Sequence, residues 1–317
     1  MNIKQKRIAF INPYFGQLPE TLDIWLLSCK YNPTIDWFIF TDDRKEINVP
    51  PNVKIIFMEF SAIKERMQKL FPFDISLETS YKLCDYKPCY GLAFEDYLKE
   101  YDFWGHCDMD LIFGDLRKYL TEDILEGHDR IGMQGQCSIY RNTERMNTAF
   151  KNMPRMGCID WHDVYSKPQN FAYDEWAEHN GGGLSEIMKR NNIRYCELHY
   201  ADIMTDKYGI YSYARGRVKL LLHFNKGRLT ENFINCESKQ LSVNEIQYAH
   251  FQKRKMVNRL STFDSEFIVV QPGIYVACSY ENISLEELEK YNVKHLEFPY
   301  KIKYNVQRIK RKICKKK

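Results

Sequence analysis

The sequence has no run of about 18 apolar residues, the length that a membrane-spanning helix requires. Its start, Met1–Arg7, leads into only a short apolar run over Ile8–Ile11, so we expect neither a membrane span nor a signal peptide. The ten cysteines are scattered, and the nearest pair is Cys84 and Cys89. Such spacing argues against a zinc knuckle or a disulfide framework, and it predicts free thiols in a cytoplasmic protein.

The chain also lacks a strong overall charge. Its 46 Lys and Arg residues and 42 Asp and Glu residues give a formal net charge of +4. Nine of the basic residues lie in the segment 301–317, which has no acid, so residues 1–300 carry a net charge of −5. A nucleic-acid-binding domain presents a basic surface, and this mildly acidic body therefore predicts no nucleic-acid partner.

Strand and helix patterns alternate over the first hundred residues. Short apolar runs at 7–11, 37–41 and 53–58 are typical of buried strands, and a helical repeat of apolar residues follows Pro19. This alternation predicts an α/β fold with a mostly parallel central sheet flanked by helices. We also expect a helix over Pro88–Leu98, before the next strand.

No long linker divides the chain, so we expect one domain over residues 1–260 and an appendage over 261–300. Residues 301–317 form a basic tail whose apolar residues have helical spacing, namely Ile302, Val306, Ile309 and Ile313. A basic amphipathic helix of this kind binds an anionic membrane surface. The alternative is a solvated charged tail.

Two carboxylates, Asp108 and Asp110, follow the predicted strand Phe103–Cys107. In an extended backbone, residues two apart point to the same side, so both acids can bind one divalent cation. Ligands of α/β sheets bind beyond the carboxyl ends of the strands, where these acids are expected. This D-x-D pair therefore predicts a site for a divalent cation, through which the acids could also hold a sugar diphosphate, and the alternative is a solvated acidic turn.

Several segments together match one known family. They are Ile8–Gly16, Phe40–Asp43, Asp85-Tyr86-Lys87-Pro88, Tyr101–Asp110 and Gly114-Asp115-Leu116. With these segments the chain resembles the GT-A glycosyltransferases of bacterial surface-polysaccharide biosynthesis, of the capsule or O-antigen type. The resemblance implies a Rossmann-like GT-A fold, Mn²⁺ or Mg²⁺ as cofactor, and a nucleotide sugar as donor substrate.

The resemblance also implies residues that bind the donor. In such enzymes the loop after the first strand and the acid after the second contact the nucleoside, which implies Asn12, Tyr14 and Asp42. Lys87 would reach a phosphate. The alternative for each of these residues is a structural role in a loop, a helix cap or a solvated surface.

Many enzymes of this kind complete the metal shell with a histidine from the far end of the domain. His250 matches this pattern, and the nearby Lys253 or Lys255 would face the diphosphate. Imidazole suits manganese. His223 is the competing histidine, and a structural role is the alternative for both.

Sugar transfer with inversion needs a carboxylate that accepts the proton of the acceptor hydroxyl. Asp174 and Glu175 are the candidates because they precede a loop with three glycines. Acids at a helix start are commonly favourable dipole partners instead, and a retaining enzyme would not need this base.

These expectations describe a hexosyltransferase that moves a hexose from a UDP-sugar, with galactose or galactofuranose as candidates. Its acceptor would be a lipid-linked saccharide at the inner face of the cell membrane. One alternative is a phosphohydrolase with Asp108 as nucleophile and Asp110 as acid and base. Another is an inactive, membrane-docked scaffold of the same fold.

Overall fold

The structure is a computed structural model that describes residues 5–216, 218–252, 254–261, 265–291 and 296–314. The chain divides into two units. Unit 1 comprises the described residues of Met1–Glu20, Asn32–Met109 and Arg117–Leu198. Unit 2 comprises those of Thr21–Tyr31, Asp110–Leu116 and His199–Lys317. The domain boundaries expected at residues 260 and 300 stay predictions.

The strands of the described residues are, in chain order, β1 (Ile8–Pro13), β2 (Ile35–Thr41), β3 (Val53–Phe57), β4 (Phe103–Cys107), β5 (Leu111–Phe113), β6 (Arg130–Gln134), β7 (Cys137–Arg141), β8 (Tyr195–Cys196), β9 (Tyr200–Asp202), β10 (Leu221–Asn225), β11 (Arg228–Ile234), β12 (Leu241–Glu245), β13 (Tyr248–His250), β14 (Val257–Asn258), β15 (Glu266–Val270) and β16 (Ile274–Ala277).

The α-helices are α1 (Leu22–Lys30), α2 (Phe60–Gln68), α3 (Leu83–Tyr86), α4 (Tyr90–Ala93), α5 (Glu95–Leu98), α6 (Glu122–Gly127), α7 (Glu144–Asn147), α8 (Ala149–Asn152), α9 (Trp161–Ser166), α10 (Leu184–Arg190), α11 (Leu285–Lys290) and α12 (Glu297–Cys314). No helix of the described residues is both long enough and apolar enough to cross a bilayer.

Unit 1 is built on a seven-stranded sheet in the order β3-β2-β1-β4-β7-β6-β8. Four of its neighbouring pairs are parallel, and only β4-β7 and β7-β6 are antiparallel. Helices α2, α4, α9 and α10 contribute buried apolar residues to the core that includes Ala9 and Ile11 of β1. The predicted α/β fold, with a mostly parallel central sheet flanked by helices, is confirmed.

The first four strands of unit 1 follow the apolar runs of the sequence. The predicted strand Phe103–Cys107 coincides with β4, and all five of its residues are buried, as a central strand requires. The single helix predicted over Pro88–Leu98 is wrong. Phe94 leaves the helical region with φ −119° and ψ 28°, and it separates α4 from α5.

Unit 2 contains a six-stranded sheet in the order β12-β11-β10-β15-β16-β14 and a three-stranded sheet in the order β5-β13-β9. The larger sheet is antiparallel except for β14-β16. In the smaller sheet β13 pairs antiparallel with β5 and parallel with β9. Helix α1 packs in this unit, where Trp25 meets Phe113 edge to face at 6.3 Å.

The predicted helix of the basic tail is present as α12, which ends at Cys314. Its first turns are held by unit 2. The Glu297 carboxylate accepts the backbone N–H groups of Tyr208 and Gly209, both at 2.9 Å. The Tyr300 hydroxyl donates to the carbonyl of Thr205 at 3.3 Å. On this helix Phe298, Ile302 and Val306 are exposed.

We expect Gly105→Ala to destabilise the fold by about 1–3 kcal/mol, because overpacking of a dense core is costly. A Cβ at residue 105 would lie 2.7 Å from the carbonyl oxygen of Ser138 and 2.9 Å from the ring of Phe10. Gly127→Ala is the matched control, since no atom lies within 4 Å of its Cβ position. Urea unfolding of both variants measures the difference, and equal stabilities would contradict the packing of β4.

Candidate active site

The loops that follow β1 and β2 are tied together by hydrogen bonds. The Asp42 carboxylate accepts the backbone N–H of Gly16 at 2.7 Å, and the Tyr14 N–H donates to the carbonyl of Phe40 at 2.8 Å. Gly16 has a φ of +92°, a conformation that glycine adopts without steric cost. Asp42 thus shapes the loop, and the predicted nucleoside contacts of Tyr14 and Asp42 stay predictions.

Asn12 is buried near the end of β1, beside the last residue of β4. Its amide nitrogen donates to Cys107 Sγ at 3.3 Å, and its amide oxygen accepts the Cys107 N–H at 3.3 Å. The side chain therefore joins the carboxyl ends of two neighbouring strands. Its predicted contact with a nucleoside stays a prediction.

Lys87 lies at the centre of an ionic cluster in unit 1, in which Lys87 and Asp174 are buried and the Asp108 side chain is 36% exposed. Its ammonium donates to Asp108 Oδ1 at 2.7 Å and to the carbonyl of Gly135 at 2.7 Å. The Oδ2 atom of Asp174 lies 3.2 Å away. These three acceptors equal the number of N–H donors of an ammonium group. Lys87 would therefore bind a phosphate only by exchanging one of them.

The charges of this cluster depend on one another. Burial alone would lower the pKa of Lys87, but the carboxylates of Asp108 and Asp174 outweigh it and hold that pKa well above its ordinary value. Burial raises the pKa of Asp174 to about 7, against the opposing effect of Lys87. Glu175 is less buried than Asp174. Of the two predicted bases, Glu175 is therefore the more accessible.

The segment that leads to Asp174 is held by a buried ion pair. Lys82 Nζ lies 2.8 Å from Asp85 Oδ2, and the two side chains are 3% and 0% exposed. Asp85 also accepts the backbone N–H groups of Phe171 and Tyr173, each at 3.0 Å. Asp85 is thus the positioning residue of this loop, two residues before Lys87 on the chain.

Arg130 supports the same segment from the sheet. It is fully buried, and its guanidinium donates to the carbonyl of Asp174 at 3.1 Å and to Ser138 Oγ at 3.1 Å. Neither Lys82 nor Arg130 is predicted to be functional from the sequence. Both residues belong to short segments whose charges follow no regular pattern. Their supporting roles are seen only in the contacts that they make in the folded protein.

In unit 2, Asp110 and His250 lie together. The strand that follows Asp110 pairs with β13, and the N–H of Phe251 donates to the carbonyl of Asp110 at 3.0 Å. His250 Nε2 is 3.5 Å from Asp110 Oδ1. On the other side of the ring, His250 Nδ1 is 2.9 Å from Asp202 Oδ1, which also accepts from Gln252 at 2.9 Å.

Carboxylate oxygens face both ring nitrogens of His250, at 2.9 Å from Nδ1 and 3.5 Å from Nε2. Because a carboxylate accepts hydrogen bonds, the closer Asp202 favours a proton on Nδ1, and Nε2 is then available to a proton or a cation on the side of Asp110. Metal-binding histidines commonly have such a second carboxylate, which orients the ring. Asp202 is therefore a positioning residue that the sequence analysis missed, because it is remote from the D-x-D motif and has no motif of its own.

Three further expectations concern the backbone between Asp108 and Asp110, the competing ligand His223, and Lys253. The backbone bends at Met109 and Asp110, because the chain turns there to begin β5, so the extended geometry expected for the two acids is wrong. His223 lies on the six-stranded sheet, 3.4 Å from Glu266. Lys253 lies outside the described residues.

Residues 10–278 match the model of a protein family described as a family of unknown function, DUF6625. The chain belongs to this family. No curated protein sequence matches this DUF6625 chain.

Some solved structures resemble the DUF6625 chain distantly. One is the galactosyltransferase LgtC in complex with donor and acceptor sugar analogues, at 10% identity and a TM-score of 0.38 over 77% of this chain and 86% of that chain. Another is mouse xyloside xylosyltransferase 1 in its apo form, at 10% identity and a TM-score of 0.34 over 63% of this chain and 88% of that chain.

We expect Asp85→Asn to lower the free energy of unfolding by about 3–5 kcal/mol, because it leaves the buried ammonium of Lys82 without its counter-charge. Asp96→Asn is the matched control. It breaks the ion pair with Arg66, whose side chains are 50% and 28% exposed, and such pairs contribute at most about 1 kcal/mol. Chemical denaturation tests this, and similar losses in both variants would contradict the role of Asp85.

Proposed function

We propose that this protein is a metal-dependent glycosyltransferase of the GT-A type that transfers a hexose from a nucleotide diphosphate sugar to a saccharide acceptor. The observation that carries the proposal is the position of His250 between two carboxylates. Asp202 orients its ring, and Nε2 faces Asp110 at 3.5 Å. A carboxylate oxygen and an imidazole nitrogen this close together are two ligand atoms that one divalent cation can bind.

The donor atoms fit a divalent cation of the manganese class. Asp110 and His250 offer a carboxylate oxygen and an imidazole nitrogen, and Asp108 adds a second carboxylate two residues before Asp110. Carboxylate oxygens suit Mn²⁺ and Mg²⁺, and an imidazole beside them favours the transition metal Mn²⁺ over Mg²⁺. When bound, such a cation neutralises charge that develops on the diphosphate leaving group.

The chain's own residues have distinct roles in this proposal. Lys87 holds Asp108 in place through their 2.7 Å hydrogen bond, and Asp202 holds His250. In an inverting reaction, Glu175 or Asp174 would accept the proton of the acceptor hydroxyl. Glu175 is the better candidate because the Asp174 carboxylate already pairs with Lys87 at 3.2 Å.

The setting we propose is assembly of a cell-surface polysaccharide at the inner face of the membrane. The donor is a UDP-sugar, with galactose or galactofuranose as candidates, and the acceptor is linked to a lipid. Exposed Phe298, Ile302 and Val306 on α12 support the membrane surface as a partner, because basic residues flank this apolar stripe.

We expect Asp110→Asn to abolish metal-dependent UDP release from a UDP-sugar, with or without an acceptor, while the fold is retained. Its side chain is 37% exposed, so loss of the charge should cost little stability. Asp115→Asn is the matched control from the same segment. If Asp110→Asn released UDP at the rate of the parent protein at low manganese, the proposal would be contradicted. It would also be contradicted if the parent protein released phosphate instead of UDP, which is the result expected of a phosphohydrolase.

We expect Asp202→Asn to weaken Mn²⁺ binding by about 10–100-fold, the usual effect of losing a residue that orients a ligand. The amide can donate to Nδ1, which would move the ring proton to Nε2 and block the lone pair. Titration calorimetry with Mn²⁺ measures the affinity, and thermal unfolding checks the fold. Asp206→Asn, four residues along the chain, is the control. Equal Mn²⁺ affinities of the parent and Asp202→Asn would remove Asp202 from the site.

A chain that ends at residue 305 tests the membrane proposal. This truncation removes seven of the nine basic residues in the tail but keeps Glu297, Tyr300 and Tyr304, which contact unit 2. Each basic residue near an anionic surface contributes about 1 kcal/mol, so we expect the full chain alone to sediment with anionic vesicles at low salt. Binding should fall at high salt and on neutral vesicles. Equal sedimentation of both forms would refute the anchor.

A further inference from the structure

A second cluster of metal-binding side chains lies on the six-stranded sheet of unit 2. It comprises His223 of β10, Glu266 of β15 and Cys278, the residue after β16. The register pairs His223 with Ile268, two residues from Glu266, so both polar residues lie on the same face of the sheet. The N–H of Cys278 donates to the carbonyl of Glu266 at 3.2 Å, which sets the cysteine beside it on the neighbouring strand.

The three side chains converge. His223 Nε2 is 3.4 Å from Glu266 Oε1, and the imidazole, carboxylate and thiol ligand atoms of the cluster lie within 4.8 Å of one another. His223 is 1% exposed. The neighbouring residues on this face are apolar and include Ile268, Val270, Ile283 and Leu288. A polar group in such a layer is costly unless it has a partner.

The ligand types identify the class of ion. A thiolate, an imidazole and a carboxylate are the ligands that Zn²⁺ binds, whereas Mg²⁺ and Ca²⁺ avoid sulfur. This set therefore differs chemically from the oxygen-rich D-x-D site. The ligands are also far apart in the sequence, and only the pairing of β10, β15 and β16 brings them together.

We infer that His223, Glu266 and Cys278 form a binding site for a Zn²⁺-class cation that cross-links β10, β15 and the end of β16. Binding releases the thiol proton of Cys278 to the solvent. With three protein ligands, the fourth position of a tetrahedral ion is left for water. This site is separate from the proposed glycosyltransferase function, and neither depends on the other.

Cobalt absorption tests the site directly, because Co²⁺ replaces Zn²⁺ and a thiolate ligand adds a sulfur-to-cobalt charge-transfer band in the near ultraviolet. The full chain carrying Asp110→Asn, which removes a ligand of the proposed manganese site, is titrated with CoCl₂. We expect the charge-transfer band to saturate at equimolar cobalt and to be displaced by Zn²⁺. Zn²⁺ should also raise the midpoint of thermal unfolding.

Cys278→Ser should abolish the band, and Cys236→Ser, an exposed cysteine of the same unit, should keep it. Glu266→Gln retains the thiolate and should shift the band to higher cobalt concentrations. Circular dichroism verifies that each variant is folded. Absence of a band in the parent, or an unchanged band in folded Cys278→Ser, would overturn the inference. Loss of UDP release has no bearing on these spectra, so the two proposals fail independently.

Discussion

The rest of the unit 1 site depends on the contacts of one group, the ammonium of Lys87. It is almost fully buried, and it bonds Asp108 and Gly135 at 2.7 Å with Asp174 at 3.2 Å. The Asp174 side chain is buried and that of Asp108 is partly exposed. Two carboxylates beside one ammonium repel each other, and the cation between them offsets that cost. The position of Asp108 after β4 and the position of Asp174 after its loop are therefore coupled through one side chain.

Other buried charges support this centre. The Lys82–Asp85 pair fixes the backbone before Asp174, and Arg130 binds the carbonyl of Asp174. In unit 2 the ring of His250 is likewise held by a carboxylate, because Asp202 orients it, and its other nitrogen faces Asp110. In both units a candidate site residue is therefore held by a neighbouring side chain. Arg130 holds Asp174 in unit 1, and Asp202 holds His250 in unit 2. Between Met109 and Asp110 the chain passes from unit 1 to unit 2, so the D-x-D motif contributes one acid to each.

Local patterns in the sequence were enough to predict the α/β fold and the exact bounds of β4, because short apolar runs and turn residues determine buried strands. The position of His250 near Asp110 was also expected, but that expectation rested on the family resemblance and not on a local sequence pattern. The role of Asp202 was not predictable, and neither was the grouping of His223, which the sequence offered as a metal ligand, with Glu266 and Cys278. Their partners are brought together by strand pairing between segments that are distant in the sequence.

We propose above all that this chain binds a nucleotide diphosphate sugar through a divalent cation. The most direct test is titration calorimetry of the full chain with UDP-galactose, in the presence of Mn²⁺ and again after its removal by EDTA. We expect saturable binding with Mn²⁺ and loss of that binding in EDTA, with the same pattern for UDP and none for galactose alone. Equal affinity in both buffers, or no binding of UDP or of any nucleotide sugar with Mn²⁺ present, would contradict the account.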